Sequence, residues 1–382
     1  IYQFDDTVGF FNMKIDSNEY FSLVFPGFLM MCIGMYLIPT KIFHTDSVLL
    51  SYKAKLNENF FKYIYIFCFL LGLSVDLMGD SLRFIVYLLS LLTYVAAFAL
   101  FAGNPRKNRY WLVGILLWNL ISSLRSGMYH DLVIWIVFSV LFSFYVLKLS
   151  QIKKILLFSL IVLMVLLVQK VKLVSREVIW NSGIGYSQAV VSSAEIGQSN
   201  LGTDSLFSTV NLVSSLNRIN QGWIFASTVN NLNRYNNFQG MTIMELYFKS
   251  ALLPRFLAPN KLRSGSNEIF NEFSGHTINK TTSMGLGIFA DGYVAYGKVG
   301  VIVFCFFFGL LFSFTFWIVG RWSRIDPAYI LLIIPLLIYS CRPDCELQTV
   351  LNHLFKGILL YGFLVTLTKY RFVLQNTVKS EL

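Results

Sequence analysis

The sequence predicts an all-α protein, a polytopic bundle of about nine to ten transmembrane helices with one large exoplasmic loop that contains amphipathic helices. Of the 382 residues, 55% are hydrophobic and only 13% are charged, whereas an average soluble domain has roughly 25% charged residues. The hydrophobic residues are also grouped into runs long enough to cross a bilayer, which takes about 20 residues of helix. This composition excludes a water-soluble fold and a disordered chain.

Nine apolar runs are the expected spans. They lie at about residues 20–40, 60–78, 82–102, 110–125, 129–149, 152–170, 298–320, 327–341 and 353–370. The runs at 110–125 and 327–341 are short and contain polar or proline residues, so we expect these two helices to be tilted or broken. Because the chain begins with Ile1 in a segment that we place outside the cell, we also expect an upstream cytoplasmic end and a tenth span.

The distribution of the basic residues that produce the net charge of +11 indicates how the spans are oriented. Of the 31 Lys and Arg residues, fifteen fall on one set of alternate connections and five on the other, when the longest loop is set aside. Basic residues accumulate on the cytoplasmic side of membrane proteins. The basic excess therefore predicts topology rather than nucleic-acid binding, with a cytoplasmic C-terminus and an exoplasmic long loop.

This topology divides the chain into three parts: N-terminal transmembrane helices in 1–170, an exoplasmic loop in 171–297 and C-terminal transmembrane helices in 298–382. The loop contains eleven Lys and Arg residues when Lys170 and Lys298 at its borders are counted. Its amides and hydroxyls suit sugar hydroxyls, and its guanidinium groups suit phosphate. We therefore expect the chemistry in this loop; a solvated loop without chemistry is the alternative.

Two amphipathic helices are predicted in the loop. Residues 205–229 place apolar side chains every three or four positions, from Leu206 to Trp223, which is typical of one apolar helix face. A second helix is predicted at 241–253 and ends before Pro254. Helices with such stripes lie on the membrane surface or dip into it.

Basic residues are the candidate ligands for a substrate pyrophosphate. Arg255, Lys261 and Arg263 fall within nine residues in LLPRFLAPNKLRSG, and three cations so close together favour an anion, either a lipid headgroup or a pyrophosphate. Arg218, in the first predicted loop helix, and Arg125, at the outer end of a span, are further candidates because an Arg near membrane depth needs a partner.

Asp291 is the candidate general base. It is the only acid in TTSMGLGIFADGYVAYGKVG, which leads into the span at 298. A carboxylate at the mouth of a membrane cavity is partly desolvated, and desolvation favours its protonated form. Glu268, Glu272 and His276 are alternative bases, and an aspartate that caps a helix or bonds to a tyrosine is the structural alternative for Asp291.

No metal and no cofactor are expected. Asp344 and Glu346, in RPDCEL, have the spacing of a divalent-cation motif, but a capped, solvated turn or an ion pair with Arg342 is the favoured interpretation. Cys341 and Cys345 are interpreted as helix-packing thiols, since no second ligand pair accompanies them.

The pattern as a whole resembles the Wzy family of bacterial oligosaccharide repeat-unit polymerases. The resemblance covers about residues 110–320 and is strongest in Pro254-Arg255, in Pro259-Asn260-Lys261 and in the run GIFADGYVAYGKVG. Arg125, in SSLRSG, is similar to an arginine found at a span end in the first half of these polymerases.

The resemblance implies a membrane-embedded, metal-independent glycosyltransferase of the GT-C type in O-antigen or capsule biosynthesis. Such an enzyme joins undecaprenyl-pyrophosphate-linked glycans on the outer face of the bacterial inner membrane. Arg255 and Arg263 would then act in catalysis beside Asp291, which removes the acceptor proton, while Arg125, Arg218 and Lys261 would bind the pyrophosphate. The implied partners are the lipid-linked donor and acceptor, membrane lipid and a chain-length regulator protein, without nucleic acid.

Two other functions are carried as alternatives. An O-antigen ligase-like transferase uses the same donor and a different acceptor, so its sequence requirements are nearly identical. A polysaccharide flippase or transporter is the third choice. Such proteins are expected to show repeated halves and charges deep within spans. We find no internal repeat, and most charges lie near span ends.

Overall fold

The computed structural model describes the chain from Asn12 to Ser380 with gaps, and all of the described secondary structure is helical. The described ranges are 12–38, 57–126, 129–164, 220–253, 257–258, 261–262, 265–278, 283–342 and 345–380. The α-helices are α1 (Ser17–Leu37), α2 (Glu58–Ser74), α3 (Asp80–Ser90), α4 (Leu92–Gly103), α5 (Pro105–Ser126), α6 (His130–Leu147), α7 (151–164), α8 (Gly222–Tyr235), α9 (Met241–Leu252), α10 (Asn267–Ser274), α11 (Ile288–Trp322), α12 (Ile333–Leu337) and α13 (Leu347–Ser380). Two short 3-10 helices, Val75–Leu77 and Pro327–Leu332, complete the set.

About six of the described helices are long and apolar enough to cross a membrane, which makes this a membrane-integral protein. They are Ser17–Leu37, Glu58–Leu77, Leu82–Gly103, His130–Leu147, Ile288–Trp322 and Leu347–Lys369. Each coincides with one of the nine expected spans. The expected span at 327–341 is shorter than expected, because the 3-10 helix Pro327–Leu332 leads directly into the five-residue α12 and the two form one short apolar helix, Pro327–Leu337.

The described residues form two compact units. One unit contains α5, α6 and α7, and the other contains α1, α3 and every helix from α8 to α13, while α2 and α4 contribute residues to both. Asp291, Lys261 and the three alternative bases belong to the second unit.

Glycines allow α1 and the second half of α11 to pack closely. A Cβ atom on Gly27 would lie 2.9 Å from the side chain of Val301, and one on Gly34 would meet the carbonyl oxygen of Phe306. A Cβ on Gly309 would in turn meet the main chain of α1. Residue numbers rise together along both helices, so the two helices are parallel, and small residues provide the close approach that packing within a membrane depends on.

Gly34→Ala is expected to lower the stability of the folded protein. The added methyl group would meet main-chain atoms, which cannot move away as a flexible side chain can, and overpacking of this kind costs about 1–3 kcal/mol. Gly79→Ala is the matched control, because a Cβ there meets nothing within 4 Å. Apparent melting temperatures in detergent measure the effect, and equal values for the two variants would contradict the close packing.

Helix α11 is interrupted at Tyr296 and Gly297. Gly297 has φ 58° and ψ −140°, a conformation that only glycine adopts readily. The amides of Gln239 and Gly240 donate hydrogen bonds, both of 2.9 Å, to the last two carbonyls before the break. The residues before the break therefore form a separate short helix, and those after it form the span expected at 298–320.

The two helices predicted in the loop have different outcomes. The helix at 241–253 is confirmed as α9, and Leu253 after it is extended, with φ −76° and ψ 135°, as residues before proline usually are. Most of the helix predicted at 205–229 lies outside the described residues, but its end is wrong, since α8 continues to Tyr235. The apolar stripe stops earlier because the last residues of α8 are polar, and the helix ends only where Asn236 turns left-handed, with φ 48°.

Candidate functional site

Three helices meet at Asp291, which lies in the first half of α11 and is fully buried. Its Oδ1 accepts a hydrogen bond of 2.9 Å from the hydroxyl of Tyr247 on α9. Its Oδ2 accepts one of 2.7 Å from the amide of Leu347, the first residue of α13. A carboxylate at this position is also stabilised by the partial positive charge of the helix N-terminus. Asp291 thus combines the two structural roles that the sequence analysis held as its alternative, a tyrosine-bonded and a helix-capping aspartate.

Tyr247 is the donor in this arrangement. Its side chain is buried, and burial raises the pKa of its phenol well above 10. The negative charges of Asp291 and Glu346 raise this pKa further. The phenol therefore keeps its proton at physiological pH and donates a hydrogen bond to the carboxylate.

Glu346 is a second buried carboxylate beside the same helix terminus. It is 3% exposed, and its Oε1 accepts hydrogen bonds from the amide of Gly265 at 2.8 Å and from the hydroxyl of Thr349 at 3.0 Å. The expected solvated turn is therefore wrong for Glu346, because these donors draw its carboxylate into the protein. Asp344, the other half of the expected motif, lies outside the described residues.

Lys261 closes the C-terminal end of α9. Its Nζ donates hydrogen bonds to the carbonyl oxygens of Ser250 at 3.1 Å and Leu253 at 2.8 Å. The last carbonyls of a helix lack helical partners, and a lysine is a common donor to them. The next residue is fixed on two sides, since the amide of Leu262 donates to Ser250 Oγ and its carbonyl accepts from the side chain of Gln348.

The three alternative bases lie on and after α10. Glu268 and Glu272 are on the exposed face of this helix. His276 is half-buried, with its Nε2 3.0 Å from Ser227 Oγ and its ring edge-on to Trp223. Burial lowers the pKa of His276, and the charge of Lys14 lowers it further.

The side chains of the four predicted arginines lie outside the described part of the structure. Arg218, Arg255 and Arg263 lie outside the described residues, and Arg125 is in the last turn of α5, with its side chain also outside the description.

Asp291 and Lys261 therefore both bond to α9. Asp291 accepts a hydrogen bond from Tyr247 of this helix, and Lys261 donates to the carbonyls at the C-terminal end of the helix. The sequence predicts the helix at 241–253 but does not single out Tyr247, because a large ring is typical of the apolar face of such a helix. The only sequence signal was that its polar group falls on the buried face of that helix.

A family model matches residues 22–331, and the chain belongs to this family, which is described as a domain of unknown function, DUF8712. The matched range includes α8 to α11, with Tyr247 and Asp291, and ends before Glu346 and α13. No curated protein and no solved structure matches the chain.

Proposed function

We propose that this protein is a glycosyltransferase that polymerises undecaprenyl-pyrophosphate-linked repeat units on the outer face of the bacterial inner membrane. One observation carries the proposal. The two segments that support the resemblance to the Wzy polymerases, one containing Lys261 and the other Asp291, both bond to α9. Residues of one active site are expected to converge in this way from separate parts of the chain.

In the proposed reaction, a hydroxyl of the acceptor attacks the anomeric carbon of the donor glycan. A new C–O bond forms as the bond to the diphosphate breaks, undecaprenyl pyrophosphate leaves, and the hydroxyl proton passes to a carboxylate. Arg255 and Arg263 stabilise the charge that develops on the leaving group. A single displacement of this kind inverts the anomeric centre, and the proposal includes no metal.

Asp291 is the proposed proton acceptor, but both of its oxygens accept internal hydrogen bonds in this structure. A carboxylate oxygen can accept two hydrogen bonds, but Asp291 is fully buried. The acceptor hydroxyl therefore has to reach the carboxylate beside the Tyr247 hydroxyl or the Leu347 amide, and catalytic hydrogen bonds of this kind often form only when substrate is bound. Glu268 and Glu272, which are exposed, and the half-buried His276 are the proposed alternatives if the acceptor hydroxyl does not reach Asp291.

The proposed topology has a GT-C-like fold of nine to ten spans and a cytoplasmic C-terminus. Contacts between the N-terminal parts of three helices support its orientation. The amide of Leu347 at the start of α13 bonds to Asp291 near the start of α11. Glu19, in the first turn of α1, is joined through Asn233 to Tyr293 in the same part of α11. In the proposed topology, α1, α13 and the span after the break in α11 all begin on one side of the membrane, which is the side that charge asymmetry assigns to the exterior.

Reconstitution with a lipid-linked repeat unit tests the function directly. Purified protein in nanodiscs is expected to convert undecaprenyl-pyrophosphate-linked repeat units into a ladder of longer glycans, resolved by gel electrophoresis, without a chain-length regulator. Transfer only to a lipopolysaccharide core acceptor would instead identify a ligase. Movement of the lipid-linked unit across a liposome membrane without any transfer would identify a flippase, and either result would overturn the proposal.

A further inference from the structure

The segment that joins α8 to α9 forms a polar corner beside the break in α11. The α8–α9 corner is defined here as residues 233–240. Asn233, Arg234, Asn236 and Asn237 are all exposed. Exposing so many polar groups to hydrocarbon would be costly, so this corner lies at the level of water or lipid headgroups.

Aromatic rings are exposed at the same corner. Tyr235 is 73% exposed and Phe238 is 41% exposed, while Tyr296, at the break in α11, is 46% exposed. The ring of Tyr296 lies beside the corner, 3.8 Å from the place of a Cβ on Gly240. Phe238 is fixed by an edge-on contact with the ring of Tyr293, at 5.7 Å between centroids.

A chain of hydrogen bonds fixes the polar groups next to these rings. The hydroxyl of Tyr293 donates to Asn233 Oδ1 at 2.7 Å, and Asn233 Nδ2 donates to Glu19 Oε1 at 3.0 Å. Tyr293 is 6% exposed, whereas Asn233 and Glu19 are exposed. A buried phenol thus orients an amide and a carboxylate that face solvent.

We infer that the α8–α9 corner, together with Glu19 and Tyr296, is a carbohydrate-binding surface. Sugars present hydroxyls, which pair with fixed carboxylate and amide groups, and C–H faces, which lie against aromatic rings. Anchoring of Tyr235 at the membrane interface would also explain an exposed ring, but it would not require the oriented Glu19–Asn233–Tyr293 chain. The inference rests on the proposed function only in naming the ligand as the saccharide part of the lipid-linked substrate.

Binding of a free saccharide tests the surface separately from polymerisation. The probe is the repeat-unit oligosaccharide released by mild acid from the lipid-linked intermediates of the source cells. Saturation-transfer NMR with full-length protein in nanodiscs measures its Kd. Glu19→Gln and Tyr235→Ala are each expected to raise the Kd about tenfold, which corresponds to about 1.4 kcal/mol.

Tyr63→Ala is the matched control, since Tyr63 is also 73% exposed but lies in the other compact unit. Its Kd is expected to equal that of the wild type. Absence of saccharide binding by the wild type, or equal Kd values for Tyr235→Ala, Glu19→Gln and Tyr63→Ala, would overturn the inference. Saccharide binding without polymerisation would refute the proposed function and leave the carbohydrate surface standing.

Discussion

Replacing Asp291 with alanine is expected to destabilise the junction of α9, α11 and α13, and replacing it with asparagine is expected to destabilise the junction less. Alanine would leave two buried donors without an acceptor, the Tyr247 hydroxyl and the Leu347 amide, and each such loss costs about 1–3 kcal/mol. Asparagine can still accept from Leu347 through Oδ1 and donate to the oxygen of Tyr247 through Nδ2, so only the hydrogen of the Tyr247 hydroxyl loses its acceptor. The two variants therefore separate the structural role of the carboxylate from its chemical role.

Melting temperature and glycan ladder are to be measured together for both Asp291 variants. Asp291→Asn is expected to melt between Asp291→Ala and the wild type and to lose activity by about 10² to 10⁴-fold, the usual contribution of a general base. Asp326→Asn is the control, because Asp326 accepts an amide hydrogen bond from Ala328 at 2.8 Å outside the site. A folded and fully active Asp291→Asn would make Asp291 a positioning residue and move the proposed base to Glu268 or Glu272.

Local patterns predicted the elements around Asp291 but not the contacts between them. The stripe of apolar residues predicts α9, and the glycine-containing run around Asp291 predicts that this residue lies at the entrance to a span. The bonds of Asp291, however, reach residues 44 and 56 positions away in the chain. No short-range pattern predicts such a pairing, because the carboxylate of Asp291 could accept a hydrogen bond from any buried polar group on a neighbouring helix.

Burial of polar groups was the other feature that sequence reasoning could not supply. The sequence favours a capped, solvated turn or an ion pair with Arg342 for Glu346, and neither interpretation predicts burial. In the structure it is buried, since the amide of Gly265 and the hydroxyl of Thr349 supply its hydrogen bonds. Lys261 is predicted to bind an anion because three cations fall within nine residues, and no local pattern indicates that its Nζ also donates to the carbonyls at the end of α9.

The arginines and Lys261 are expected to respond differently to substitution. Arg255→Ala and Arg263→Ala are expected to abolish long-chain glycan, with a loss of on the order of 10² to 10³-fold in rate, as when a group that stabilises transition-state charge is removed. Their melting temperatures are expected to match that of the wild type. Lys261→Met is expected to lower the melting temperature, because the carbonyls of Ser250 and Leu253 lose their donor.

This difference distinguishes a charge used in chemistry from a charge used in folding. In the polymerisation assay, activity lost by Lys261→Met should track the fraction of folded protein and should return when Lys261→Arg restores a donor to the end of α9. Activity lost by the arginine variants should persist in fully folded protein. Normal glycan ladders from Arg255→Ala and Arg263→Ala would show that the diphosphate is held elsewhere. Lipid headgroups, the other anion that the sequence analysis considers, would then be the proposed partners of the loop arginines.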